Sequence, residues 1–296
     1  MRPQPAPFAF IDAALDRADR LRDDADALKE YWPHARIVLI DGEGRALADA
    51  DHGLFAPEGE QVGGGPGAAM FLGLHGQQAW FAAQADIIGP DAPQRIDLRS
   101  AAAMWSPFEA TVFAQARALL HWRARHRHCG ACGGDLAFVR AGWCGRCTQC
   151  DVEHYPRTDP AVIVAVSDGG RLLLGRQASW PARRYSTLAG FVEPGESLEH
   201  AVAREVFEES AVRVRSSRYL ASQPWPFPGA LMLGFVADAE PDVPQVGEEL
   251  EDARWFGIDD IGCALRGESG DDGLLLSPAI SISRWLVETW YSSVAG

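Results

Sequence analysis

No apolar run in these 296 residues reaches the ~18 needed to span a bilayer. The N-terminus, MRPQPAPFAFIDAALDR, turns polar too soon for a secretory signal peptide. Positive charge is scarce: 27 Lys and Arg stand against 41 Asp and Glu, for a net charge of −14. That balance disfavours indiscriminate binding to nucleic acid, which needs a basic footprint. No internal repeat or low-complexity tract is visible. The GGGPG run at 63–67 lacks the lysine and following helix of a phosphate-binding loop. Cysteine is nearly absent outside one window: five of six fall between residues 129 and 150, and Cys263 stands alone. These absences predict a soluble, cytoplasmic chain. Its 47% apolar content is core material for about two domains.

Residues 11–32 place Leu15, Leu21 and Leu28 in a helical rhythm among Asp and Arg. RIVLI at 36–40 reads as a strand and the following DGEGR as a turn; MFLGLHG and QAWFAAQ read as further strands. This third of the chain is a small mixed domain in which no chemistry is legible. SPFEATVFAQARALLHWRARH at 106–126 predicts an amphipathic helix, with Ser106 as N-cap and Pro107 at the first helical position. Its end carries a basic run: Arg117, His121, Arg123, Arg125, His126, Arg127 and His128. A solvated helix face explains that run, and phosphate contact is the alternative. Beyond residue 157 the pattern is α/β. AVIVAVS and RLLLGRQ flank DGG at 168–170 as a hairpin, and VRVRSSRYL, LMLGFVADA and ARWFG read as strands. PAISISRWLVETWY at 278–291 reads as a closing helix.

Residues 190–212, GFVEPGESLEHAVAREVFEESAV, carry Glu193, Glu196, Glu199, Glu205, Glu208 and Glu209. A helix over about 197–210, capped by Ser197, sets Glu205, Glu208 and Glu209 at i, i+3 and i+4 on one face. Ala203, Val206, Phe207 and Ser210 fall on the other side. Like charges so placed repel by roughly 0.2–0.5 kcal/mol per pair. Clustered hard oxygen donors suit Mg²⁺ or Mn²⁺ beside a phosphate. The bland alternative is a solvated acidic face; the Gly-rich turn leading into the helix favours the metal.

Cys129 and Cys132 form one C-x2-C knuckle, and Cys144, Cys147 and Cys150 form two overlapping ones. Four thiolates satisfy Zn²⁺ tetrahedrally in a zinc ribbon and leave no open position, so the metal is structural. Pairing the first knuckle with Cys147 and Cys150 leaves fourteen residues between, and pairing it with Cys144 and Cys147 leaves eleven. The longer span is nearer ribbon spacing and selects Cys129, Cys132, Cys147 and Cys150.

Gly190, Glu196, Arg204, Glu205, Val206, Glu208, Glu209 and Val212 sit at spacings that resemble the Nudix box, G-x5-E-x7-R-E-U-x-E-E-x-G-U, where U is bulky and apolar. Ala211 stands where that family has Gly, a position that needs positive φ, which Ala adopts at a cost of ~1 kcal/mol. Ten residues after the box begins Ser222-Gln223-Pro224-Trp225-Pro226-Phe227-Pro228. Three prolines and two aromatics make a stiff wall suited to stacking on a heteroaromatic ring, or else a packed loop. Ribbon, box and SQPWPFP array in this order resemble the NADH pyrophosphatase (NudC) branch of the Nudix hydrolases, over roughly residues 106–290.

The resemblance implies an α+β chain: an N-terminal mixed α/β domain over 1–105, a linker helix and zinc ribbon over 106–156, and a Nudix α/β/α sandwich over 157–296. It implies Mg²⁺ or Mn²⁺ held by Glu205, Glu208, Glu209, Glu249 and the carbonyl of Ala189, with Arg204 orienting a carboxylate. It implies substrate contacts from Tyr155, Phe191, Gln223, Pro224, Trp225, Pro226, Phe227, Pro228, Gly229, Ala230 and Ser283. Ala230 stands where the family commonly has Ser, which forgoes a hydrogen bond worth ~0.5–1.5 kcal/mol. The implied activity is hydrolysis of NADH or NAD⁺ to nicotinamide mononucleotide and AMP, with NAD-capped RNA as a related substrate and a homodimer as the assembly. Two other readings stand beside it. One is a zinc-ribbon nucleic-acid-binding protein with an inert Nudix domain, which the intact carboxylate set argues against. The other is a hydrolase of another nucleoside diphosphate such as ADP-ribose or FAD, which the SQPWPFP array argues against.

Overall fold

The computed structural model describes residues 8–270 and 273–295, so the first seven residues of the N-terminal stretch discussed above lie outside it. No helix among the described residues is long and apolar enough to cross a membrane. Among the described residues the chain divides into two compact units, one of residues 9–158 with 225–229, the other of residue 8 with 159–224 and 230–295.

In the first unit, residues 11–32, whose Leu spacing has a helical rhythm, form no continuous helix. The chain instead makes a 3-10 turn at Asp19–Asp23 and a short α1, Ala25–Tyr31. Aspartates cause the break. Asp12 accepts the Ala14 N–H at 2.8 Å, Asp16 that of Ala18 at 2.9 Å, and Asp24 that of Ala27 at 2.9 Å. Such local bonds compete with the helix ladder, and Ala18 is turned to φ 42.

A five-stranded sheet follows: β1 (Arg36–Ile40), β2 (Ala46–Ala48), β3 (Met70–His75), β4 (Gln78–Gln84) and β5 (Gln94–Ile96). Its order is β3-β4-β1-β2-β5, with β1 and β4 parallel and the other pairs antiparallel. Helix α2 (Gly59–Val62) lies between β2 and β3 in sequence; α3 (Leu98–Met104) and α4 (Pro107–Arg125) follow β5. Both sheet faces are covered, which is why RIVLI is apolar throughout rather than alternating. Val38 and Ile40 join one cluster with Phe113 and Leu120 of α4, and Ile37 and Leu39 join the other with Trp32 and Phe81. Each such fully buried side chain contributes roughly 1.5–3 kcal/mol. Ser106 caps α4 with Glu109 in a reciprocal capping box, and Pro107 occupies the first turn.

The cysteine segment forms a three-stranded sheet of β6 (Leu136–Val139), β7 (Cys144–Cys147) and β8 (Glu153–His154) in that order. It packs within the first unit. Trp143 Nε1 donates to the Phe71 carbonyl at 2.7 Å, the Arg22 guanidinium lies 3.7 Å from the Trp143 ring centre, and Arg140 pairs with Asp19 and Asp23.

The second unit holds β9 (Asp159–Ser167), β10 (Arg171–Arg176), β11 (Leu188–Phe191), α5 (Leu198–Ser210), β12 (Val214–Trp225), β13 (Ala230–Ala239), β14 (Asp252–Gly257), α6 (Ile258–Arg266) and α7 (Ile282–Ala295). The sheet runs β12-β13-β9-β10-β14, with β11 also paired to β9. Parallel pairing of β9 and β13 buries the centre of AVIVAVS. Val202 and Val206 of α5 join Val162, Val164, Val166 and Phe235 in one core. Gly234, the next residue along β13, faces Ile282 of α7: a Cβ there would lie 2.8 Å from Ile282 Cδ1. Alternation along β13 therefore puts α5 and α7 on opposite faces, an α/β/α sandwich. Helix α7 starts at Ile282, later than the sequence pattern predicts; Pro278 lies before it in a turn bonded to Ser281.

Candidate active site and zinc centre

Strand β11 delivers the chain to the loop before α5. Gly195 turns it at φ 89, and Ser197 caps α5 by accepting the His200 N–H at 3.2 Å. At the end of α5, Ala211 adopts φ 56, ψ 15, the left-handed conformation that its place in the box demands.

Arg204 organises this segment. Its Nε and Nη2 bind the two oxygens of Glu196, each at 2.8 Å, and Nη2 also donates to the Phe191 carbonyl at 2.9 Å. Its Nη1 reaches Glu205 and Glu208, each at 2.9 Å. The bidentate fork holds Glu196 down at about 2 and raises Arg204. Sequence reasoning gave Glu196 no role of its own. The signal was its spacing of eight residues from Arg204.

The three glutamates at i, i+3 and i+4 have unequal surroundings. Glu208 is exposed, Glu205 half-buried, and Glu209 only 7% exposed. Phe207, which the helical pattern puts on the inner side, is exposed instead, because α5 rests on Ala201, Val202 and Val206. Gly190 lies directly against Glu205: a Cβ there would fall 1.9 Å from the carboxyl carbon, so a side chain at the first box position would displace that carboxylate. Burial raises Glu205 despite Arg204, with Glu208 and Glu249 adding repulsion. Glu209 is pushed up to about 8, first by burial and then by Glu205 and Glu249. It accepts the Ala189 N–H, yet its Oε2 has no partner among the described residues. A buried carboxylate oxygen without a donor, repelled by two neighbouring carboxylates, fits a divalent hard cation.

Four thiols meet on the other unit. The Sγ atoms of Cys129, Cys132, Cys147 and Cys150 lie within 4.8 Å of one another, the only such group of three or more ligand side chains among the described residues. Individual Sγ separations are 3.7 Å for Cys129–Cys150, 3.4 Å for Cys132–Cys147 and 3.3 Å for Cys132–Cys150. A tetrahedral site with Zn–S bonds of ~2.3 Å spaces its sulfurs about 3.8 Å apart, so the quartet fits zinc. Cys144 stands outside it, fully buried in β7 opposite Val139, and burial raises its thiol.

Of the residues that the resemblance points to, Phe191 and Tyr155 are exposed, and Tyr155 donates its hydroxyl to Glu153. The SQPWPFP segment is mostly engaged. Gln223 is fully buried, donating to the Ile280 carbonyl and accepting the Ile282 N–H, both at 2.8 Å. Trp225 and Phe227 lie with ring centres 4.9 Å apart, and Trp225 also meets Phe10 at 6.2 Å. The Arg99 guanidinium sits 4.0 Å from the Phe227 ring centre and that of Arg117 5.1 Å. Pro224 and Pro228 are exposed, Pro226 is buried, and Gly229 and Ala230 are intermediate. Ser283 is buried, its Oγ bonded to Ser186 at 2.8 Å and Thr187 at 3.0 Å.

Three families match consecutive stretches: the NADH pyrophosphatase-like rudimentary NUDIX domain over 34–122, the NADH pyrophosphatase zinc ribbon domain over 124–155, and the NUDIX domain over 157–276. A Mycobacterium bovis protein named NAD-capped RNA hydrolase NudC is 40% identical over 287 residues, covering 93% of this chain and 92% of that one. The chain belongs to the NudC branch of the Nudix hydrolases. A Stutzerimonas stutzeri protein of the same name is 45% identical over 177 residues, 59% of each chain. Among solved structures, a NUDIX hydrolase from Nitrosomonas europaea aligns with a TM-score of 0.45 at 23% identity, covering 56% of this chain and 91% of that one.

Membership of the NudC branch gives the N-terminal third a kinship that its residues do not announce. The sequence of 34–122 contains no R-E-x-x-E-E run, so only the buried apolar pattern of its sheet remains to be read. The basic run is partly consumed by packing. Arg117 lies over Phe227 and donates to the Pro226 carbonyl, Arg123 lies 4.9 Å from the Phe138 ring centre, and His128 pairs with Asp135.

Proposed function

We propose that this chain hydrolyses the diphosphate bridge of NADH and NAD⁺ to AMP and nicotinamide mononucleotide, and cuts the same bridge at the NAD cap of RNA. The observation that carries the chemistry is the buried Oε2 of Glu209, which has no donor among the described residues and stands beside Glu205 and Glu249. The substrate class is supported by relatives named NAD-capped RNA hydrolase NudC, one of them similar across 93% of the chain.

Glu205, Glu208, Glu209, Glu249 and the Ala189 carbonyl would hold Mg²⁺ or Mn²⁺. Bound there, the cation would supply charge neutralisation for the diphosphate and would make a nearby water more acidic. Arg204 pins Glu205 and Glu208 while Glu196 pins Arg204, so the carboxylates need no reordering on substrate binding. In the reaction a water oxygen bonds to one phosphorus and the bridging P–O bond breaks. A carboxylate of the cluster takes the water proton, and the leaving phosphate keeps the bridging oxygen. Phe191, 61% exposed, offers an open ring face for stacking on a substrate ring. The Cys129, Cys132, Cys147 and Cys150 quartet would hold a structural zinc. The resemblance also supports a homodimer, which light scattering tests directly.

A product assay on NADH, NAD⁺, ADP-ribose and NAD-capped RNA, with Mg²⁺ and with Mn²⁺, tests the reading. Nicotinamide mononucleotide and AMP should appear from NADH, with kcat/KM at least about tenfold above that for ADP-ribose, a gap of 1.4 kcal/mol. A preference for ADP-ribose would overturn the substrate assignment.

A further inference from the structure

One polar side chain beside the thiol quartet has no part in the chemistry described so far. His154 Nε2 lies 3.3 Å from Cys129 Sγ. It is not one of the quartet, since the group of mutually close ligand atoms comprises the four cysteines alone. His154 is therefore an outer partner and not a competing ligand.

Backbone pairing fixes its position. In the β7–β8 ladder His154 stands opposite Gly145, and its neighbour Glu153 stands opposite Arg146, to which it is ion-paired at 2.7 Å. The imidazole thus arrives at Cys129 from β8, which is paired to the strand that carries Cys147. Cys129 is one of the two buried sulfurs of the quartet, with Cys147. It is 3% exposed, whereas Cys132 and Cys150 are open to water. Its other donors are the Ala131 N–H at 3.4 Å and the Cys132 N–H. Cys147, the other buried member, has the Gln149 N–H at 3.4 Å and the Cys150 N–H, with no imidazole bonded to it among the described residues. Four thiolates around one dication leave a net charge of about −2 on the sulfurs. A hydrogen bond from a neutral imidazole disperses part of that charge where water cannot, and lowers the sulfur's readiness to take up a proton or leave the metal.

We propose that His154 donates its Nε2–H to the Cys129 thiolate and is the outer hydrogen bond that retains zinc in the ribbon. The proposal rests on the zinc assignment above. It places the imidazole proton on Nε2 and leaves Nδ1 as an acceptor.

The test uses the full-length, zinc-loaded protein and follows zinc transfer to a chromogenic chelator in excess. His154→Phe keeps a flat ring and removes the donor. It should release zinc about tenfold faster or more, the usual scale for loss of an outer partner. His154→Gln, whose amide N–H donates, should stay near wild type. Equal release by wild type and H154F would overturn the proposal. If H154F does not fold, Co²⁺-substituted H154A and H154Q replace it. Loss of a donor to thiolate should shift the sulfur-to-cobalt charge-transfer band to lower energy in H154A and leave H154Q unmoved. An identical band in H154A, H154Q and wild type would overturn it equally. A wild type that carries no zinc fails the zinc assignment itself and the proposal with it. Zinc held equally by wild type and H154F fails only the role of His154.

Discussion

At Glu209 two demands conflict. The residue packs against β11 with 7% exposure, yet its function in the account requires a charged carboxylate. Without a cation the protein resolves the conflict by holding a proton there, with Glu209 up at about 8 and Glu205 raised as well. The consequence for stability has a definite sign. The unfolded carboxylates lose their protons near the ordinary ~4.3. Between that pH and about 8 the folded state binds more protons than the unfolded state, so stability falls as pH rises. Protein freed of Mg²⁺ and Mn²⁺ should therefore lose thermal stability between pH 5 and 8 through this pair. Mn²⁺ should raise the Tm more at pH 8 than at pH 5, where protons compete for the same oxygens. A larger Mn²⁺ effect at pH 5 would place the cation elsewhere. That Glu205, Glu208 and Glu209 share a face was legible in their spacing. That one is exposed and another sealed was not, because it depends on how α5 rolls onto Val162 and Val164, residues some forty positions earlier.

At the scale of elements, the aromatic array and the cysteine hairpin each separate two kinds of residue that the sequence presents alike. Phe227 has the Arg99 guanidinium over its ring and Trp225 against it, whereas Phe191 is exposed at the end of β11. Phe191→Ala should leave the Tm nearly unchanged and raise KM for NADH about tenfold, within the ~1–3 kcal/mol of a base–aromatic stack. Phe227→Ala should lower stability by about 1–3 kcal/mol, less than the ~3–5 for a fully buried ring. Urea melts and NADH kinetics on both variants check this, and a large destabilisation by Phe191→Ala would reverse the roles. In the ribbon, Cys144→Ser should keep about one zinc per chain and Cys150→Ser should lose it. The opposite result by metal analysis would exchange their places. The thiol spacing and the Ser106 and Ser197 caps were readable because each is local chemistry. The break in residues 11–32 was not, since the Asp12, Asp16 and Asp24 bonds outweigh a periodicity that looks helical.

Across the whole molecule, local motifs carried the reading and tertiary kinship did not. The box, the ribbon and the Pro-rich array are short, and each has spacing that chemistry constrains. The N-terminal third matches a rudimentary NUDIX family but lacks the carboxylate run that would mark it, so only its strand pattern was legible. The crossing of residues 225–229 into the first unit was equally hidden, because nothing local in SQPWPFP says which core receives its rings. The account depends most on the claim that the α5 carboxylates are the catalytic metal site of an NAD diphosphatase. Glu209→Gln tests it most directly, since the amide has the same size and removes only the charge. With NADH at saturating Mg²⁺ or Mn²⁺, the variant should fold, melt at or above the metal-free wild type, and lose at least about a hundredfold in kcat/KM, or ~2.7 kcal/mol. A folded Glu209→Gln variant with near wild-type kcat/KM would contradict it.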